Sequence, residues 1–136
     1  MTRYIPKLPP LDPCPVEYVF VVIGGRWKSR ILHRLGFGPT SLSELRRSMP
    51  RAREAVLVQQ LKAMTEAGIV ERLPRKKGRT WGDFVLTERG RKLLQALASI
   101  SEWGLEEIKQ WSPSYANAKD ANASPLKGQA DLSAVD

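Results

Sequence analysis

Arg75, Lys76, Lys77 and Arg79 crowd around Gly78, a density of positive charge that a short loop holds against its own repulsion. Cations on flexible stems suit phosphodiester oxygens, which ask for charge and donors but for no fixed spacing. Gly78 permits the positive φ of a tight turn. Repulsion at such a tip is relieved when phosphates arrive. Alone, a charge run is usually just a solvated loop, so the surrounding pattern has to decide. A second set lies upstream. Leu57, Leu61 and Met64 recur at i, i+4 and i+7 and mark the inner face of a helix. Glu54, Ala55, Val58, Gln59 and Lys62 then face outward, with Arg51 and Arg53 at the start. A Gln amide can pair with adenine in the major groove, Val can touch a thymine methyl, and Arg can reach guanine or phosphate. The competing reading packs Val58 and Ala55 against a preceding helix and leaves Gln59 merely hydrated.

The other reactive side chains point away from catalysis. Cys14 and His33 are the only residues of their kinds, and one thiol with one imidazole makes no metal set. A Cys14–His33 pair would lack an oxyanion site and an orienting third group. His33 reads as a solvent-edge residue. Cys14 reads either as a sensor thiol or as a small buried apolar residue, with burial the favoured reading. Gly24-Gly25 lacks the spacing of a nucleotide-binding loop. Trp27, Trp81, Trp103 and Trp111 are too scattered for a platform that stacks single-stranded bases. No enzyme activity, cofactor or metal is expected.

Composition agrees with a polyanionic partner. The 136 residues carry 22 Lys+Arg against 14 Asp+Glu, a formal net charge of +8. Residues 112–136 hold Lys119 and Lys127 against Asp120, Asp131 and Asp136, which leaves a net +9 on the chain before them. That field favours DNA, RNA or an anionic surface. A single cysteine forms no internal disulfide, as in a reducing compartment. No apolar run approaches the roughly 20 residues of a spanning helix, and no signal-peptide order is present. A cytoplasmic protein with no membrane partner is expected.

The elements that must position these residues follow from periodicity and punctuation. Residues 1–13 should be an extended Pro-rich arm, and Pro15 suits the first turn of a helix. Residues 16–23 read as helix or strand, because β-branched residues dominate. Trp27, Ile31, Leu32 and Leu35 define a second helix, ended by Gly36 and by Gly38-Pro39. Ser41 or Ser43 caps a third, with Leu42 and Leu45 inward. The fourth runs over 51–67 and stops at Gly68. Residues 69–73 and 82–86 pair as a hairpin with the basic cluster in the loop between. Thr87 caps a last helix to about Trp111, striped by Leu93, Leu97, Ile100, Gly104, Ile108 and Trp111. At about 25 residues and some 37 Å, its apolar stripe exceeds what a small core covers and needs a partner surface. Residues 112–136 should be a disordered tail.

Four helices, two strands and a helix make the plan of a winged helix-turn-helix. In order and spacing, "CPVEYVFVVIGGRWKSRILHRL", "SLSELRRSMP", "LVQQLKAMTEAGIVER" and "LTERGRKLL" resemble the HxlR-type winged-helix transcriptional regulators over about Cys14 to Trp111. The resemblance implies a cytoplasmic bacterial or archaeal homodimer on an inverted-repeat operator. It also implies dimerisation through the N-terminal and C-terminal helices, here Val16, Val19, Phe20, Leu97, Ile100, Trp103, Ile108 and Trp111. Cys14 matches the family's N-terminal cysteine, which senses oxidants or electrophiles in some relatives. Two positions depart from the pattern: Arg53 stands where the family usually has Ser, and Val58 where it has Thr. Arg53 cannot accept the capping bond from helix N–H groups.

The expectation is a mainly α (α+β) protein: arm 1–13, winged helix-turn-helix domain 14–111 with a β-hairpin wing and a long C-terminal dimerisation helix, tail 112–136. Its function would be that of a dimeric, sequence-specific regulator of double-stranded DNA acting as a repressor. Helix 53–67 would enter the major groove, wing 74–81 would lie on the backbone, and a small molecule or oxidant is a candidate effector. The alternative is a winged-helix module that has lost DNA recognition and binds protein. Arg53, Val58 and Glu54 favour that alternative; Lys76, Lys77 and Arg79 oppose it.

Overall fold

The computed structural model describes residues 14–111. The proposed arm 1–13, the proposed tail 112–136 and the Trp111 side chain lie outside the described residues. The chain divides into two compact units with the boundary between Arg91 and Lys92.

In the first unit the ambiguous apolar run is a helix, α1 (Pro15–Ile23), opened by Pro15 in its first turn. Proline's fixed φ is preorganised there, and its missing N–H costs nothing. After Gly24-Gly25 comes α2 (Lys28–Leu35), which buries Ile31, Leu32 and Leu35. Ser41, rather than Ser43, caps α3 (Leu42–Ser48). The Glu44 N–H donates to Ser41 Oγ at 3.1 Å, and the Ser41 N–H donates to Glu44 Oε2 at 3.0 Å. This reciprocal box satisfies donors that the first helical turn would leave unpaired.

Then comes α4 (Glu54–Glu66), with Leu57, Leu61 and Met64 sealed inward as the periodicity requires. It starts three residues after the expected Arg51. Residues 49–52 form a turn, with the Ala52 N–H donating to the Met49 carbonyl at 3.0 Å. Arg53 is the N-cap residue and makes no side-chain capping bond. The far end is better defined. Gly68 has φ +77°, its N–H donates to Thr65 O, and the Ile69 N–H donates to Met64 O. Those two bonds are a Schellman closure, which a residue in the left-handed region permits.

The hairpin pairs β1 (Val70–Arg72) with β2 (Phe84–Leu86), antiparallel, with Val70 opposite Leu86 and Arg72 opposite Phe84. It is shorter than expected, although one further bond runs from the Leu73 N–H to Asp83 O at 2.7 Å. Thr40, buried to 1% exposure, forms an isolated bridge with Phe84 and exchanges both backbone bonds with it, at 3.0 and 2.8 Å. The sequence offered no cue for this third rung, because one residue has no periodicity. Residues of α2, α3, α4 and both strands share one core that includes Leu45, Leu57, Met64, Val70 and Phe84.

The last helix, α5 (Glu88–Trp111), begins in the first unit and supplies the second. Its opening turn is pinned to the elements before it. Thr87 Oγ1 donates to Gly68 O at 2.7 Å and accepts from the Gly90 N–H at 3.1 Å. Arg89 donates to Ala67 O at 2.9 Å, and Arg91 donates to Leu86 O at 3.0 Å. "LTERGR" therefore has a physical reading: a cap, two guanidinium groups on otherwise unpaired carbonyls, and a glycine where backbones meet. In the second unit Ile100 and Trp103 are exposed. No helix among the described residues is long and apolar enough to cross a membrane.

Candidate nucleic-acid interface

The outer face of α4 is polar where the helix leaves the core. Glu54, Ala55, Gln59 and Lys62 are exposed, and Val58 is half-buried. Gln59 therefore has its amide free of packing, while Val58 divides its surface between core and solvent. Arg51 sits in the turn before the helix and Arg53 at its N-cap position, both exposed. Glu54 is not a bare acid on this face. Arg46 Nη1 of α3 lies 3.2 Å from its Oε2. The charge that counted most against a DNA-reading surface thus has a counter-ion.

Turn and wing hold the cations. Around the turn a depression of about 520 Å³ is lined by Ser43, Arg46, Arg47, Arg51, Arg53 and Glu54, with Pro50 and Ala52. Sequence reasoning missed Ser43, Arg46 and Arg47. Their signal was present, because both arginines fall opposite the inward Leu42 and Leu45. Two arginines in a last helical turn, however, also suit the helix dipole. At the wing tip the Arg79 N–H donates to Lys76 O at 3.1 Å, and Gly78 has φ +83°. The tight turn expected there is present, and Gly78 supplies the one backbone conformation that other residues resist.

The four tip cations are not equivalent. Arg79 Nη1 bonds Asp83 Oδ1 at 3.1 Å. Arg75, Lys76 and Lys77 are exposed and have no side-chain partner among the described residues. Behind them the Arg72 guanidinium stands 4.7 Å from the Trp81 ring centroid. This cation–π contact stiffens the base of the wing and was not anticipated.

The remaining candidates stand apart. Cys14 is exposed at the N-cap of α1, with no capping bond. This corrects the expectation of a buried apolar residue: Cys14 precedes the first helical turn and is exposed among the described residues. His33 is exposed and meets Phe37 edge-on at 5.4 Å. No group of three or more His, Cys, Asp or Glu side chains among the described residues could hold a metal ion. Of the expected dimerisation residues, Val16, Phe20, Ile100 and Trp103 are exposed, and Val19, Leu97 and Ile108 are half-buried.

A helix-turn-helix with a basic two-stranded hairpin behind its second helix defines a winged helix-turn-helix, a DNA-binding class. The chain belongs to the HxlR-like helix-turn-helix family, whose match spans residues 22–114. It is 34% identical over 94 residues to YdzF of Bacillus subtilis (strain 168), an uncharacterized HTH-type transcriptional regulator, covering 68% of this chain and 86% of that one. It is 35% identical over 95 residues to YtcD, an uncharacterized HTH-type transcriptional regulator of the same strain, covering 70% and 75%. The fold is similar to that of the redox regulator HypR in its reduced form, with TM-score 0.66 and 32% identity over 75% of this chain and 100% of that one. The protein is a DNA-binding transcriptional regulator rather than an enzyme.

Proposed function

We propose that the protein is a cytoplasmic homodimeric repressor that reads an inverted-repeat operator with α4 in the major groove and sets residues 74–81 on the adjacent backbone. The observation that carries this reading is the division of α4: Leu57, Leu61 and Met64 buried, Gln59 and Lys62 turned to solvent. Gln59 is assigned to a base edge, Val58 to a thymine methyl, Arg51, Arg53 and Lys62 to the surrounding groove and backbone, and Glu54 to the groove side of the helix start. Gln59→Ala is expected to cost about 1–3 kcal/mol on the preferred site and little on a random duplex, since a base contact carries sequence information. Anisotropy titrations on both duplexes measure it. An equal loss on both would place Gln59 on the backbone and remove it from the reading.

Dimerisation rests on exposed apolar surface. Phe20 is 65% exposed and Trp103 69% exposed in the single chain, more than isolated surface residues require. Val16, Val19, Phe20, Leu97, Ile100, Trp103 and Ile108 are the proposed contact set. A dimer is the sedimenting species expected at micromolar concentration, and truncation before Ser101 is expected to give monomer or aggregate. A monomeric full-length chain sinks the dimer.

An oxidant is the proposed effector class, acting on Cys14. Its support is the exposed thiol, together with the likeness to a redox regulator. Under a thiol oxidant the wild type is expected to lose DNA affinity and Cys14→Ser to keep it. Equal behaviour of the two proteins excludes Cys14 as the sensor.

A further inference from the structure

The depression between α3 and the start of α4 is more cationic than base reading requires. Its lining sets Arg46, Arg47, Arg51 and Arg53 against the single acid Glu54. Arg47, Arg51 and Arg53 have no side-chain partner among the described residues. Only Arg46 is engaged, at 3.2 Å from Glu54, with 55% and 52% of the two side chains exposed. An ion pair that open to water is weak and is readily exchanged for another anion. A phosphodiester is a better acceptor for a guanidinium fork, because two oxygens can be bound side by side. Ser43 adds a hydroxyl donor on the same rim.

We propose that this depression is a second DNA-backbone site, in which Arg46 and Arg47 of α3 bind phosphodiester oxygens and Glu54 is a counterweight that Arg46 leaves on binding. The inference rests on α4 lying in the major groove, which brings the turn before it to the duplex. In the free protein Glu54 holds Arg46 in the pair. In the complex Arg46 turns to phosphate, and Glu54 is left facing an anionic backbone. Glu54 therefore lowers affinity for every duplex alike, and base contacts must supply a larger share of what remains. The occupant is a duplex backbone rather than a small anion. The site is an open depression on two elements of a DNA-binding motif, with no buried polar side chain aimed into it.

The test uses the full chain, a genomic fragment that the protein selects and a random duplex of equal length, titrated across a salt series. Arg47→Ala is expected to lower the slope of log K against log salt by about 0.9 on both duplexes, and Arg46→Ala by a smaller amount, because Arg46 must first leave Glu54. Arg46→Lys keeps the charge and should keep most of the slope. Glu54→Gln is expected to raise affinity several-fold on both duplexes in the wild-type background, and by less when Arg46 is already Ala, where only the repulsion between Glu54 and the backbone is left to relieve. Unchanged slopes for the two arginine variants overturn the site. A loss confined to the selected fragment for Glu54→Gln makes Glu54 a base reader and overturns the counterweight. Inorganic phosphate at matched ionic strength should compete only weakly; sub-millimolar binding that Arg46→Ala abolishes would make the depression a small-anion site instead. Gln59→Ala, measured on the same duplexes, keeps this outcome separate from the placement of α4. If it loses preference for the selected fragment while the arginine slopes stay flat, only the second backbone site fails.

Discussion

Replacing Arg75, Lys76 and Lys77 together by Ala is expected to lower the slope of log K against log salt by about 2 to 3, on specific and random duplexes alike. Each cation that meets a phosphate displaces condensed counterions, and the slope counts those displaced ions. These three side chains have no partner among the described residues. Arg79 is held by Asp83 at 3.1 Å and must exchange that contact before it can serve DNA. Arg79→Ala should therefore change the slope by less than the roughly 0.9 of a free contact. The ratio of affinities for the two duplexes is expected to stay constant, since phosphate contacts carry no sequence information. A triple variant with the wild-type slope would reduce the tip to a solvated loop.

The second large effect concerns stability. Gly90→Ala would place a Cβ 2.1 Å from the Ile69 carbonyl oxygen and 3.3 Å from Leu86 Cβ. The first of these is backbone, so no side-chain rotation relieves the collision. The start of α5 would have to move from the segment that follows α4, straining the Thr87 and Arg89 bonds that join them. Overpacking typically costs about 1–3 kcal/mol, and a backbone collision falls at the upper end. Urea unfolding at fixed protein concentration reads this as a lower midpoint with an unchanged denaturant slope. A midpoint shift worth less than about 0.5 kcal/mol, the range of neutral surface changes, would mean that the pinned junction has slack.

Features with a period were legible in the sequence, and features made by a single residue were not. Leu57, Leu61 and Met64 announce the buried face of α4, and Gly68 and Thr87 announce a stop and a start, because each acts within its own few residues. The counter-ion of Glu54 was not legible. Its partner Arg46 lies on another helix, and pairing across elements has no local trace. Cys14 was misplaced for a similar reason: burial belongs to packing, and residue type predicts it only on average. The wing turn was legible because Gly78 is the residue such a turn demands. The Thr40 bridge and the Arg72–Trp81 stack were not, since both join residues with no shared pattern. Arg46 and Arg47 were visible as charges but not as a site, because the depression exists only once Arg51 and Arg53 fold opposite them.

The wing tip closes with a single internal backbone bond, from the Arg79 N–H to Lys76 O. The amides of Arg75, Lys76, Lys77, Gly78 and Thr80 thus find no backbone acceptor among the described residues. In the free protein such amides are expected to trade protons with water at close to the rate of an unstructured peptide, whereas the Leu73 and Phe84 amides, bonded to Asp83 O and Thr40 O, are shielded. With the wing set on a duplex as proposed, the same amides would become donors that no side-chain substitution removes. A wing stripped of its lysines would keep this uncharged hydrogen-bonding strip, so its residual grip on DNA would be insensitive to salt. Deuterium uptake at the tip, slowed by DNA even in the charge-stripped wing, is the trace that this strip would leave.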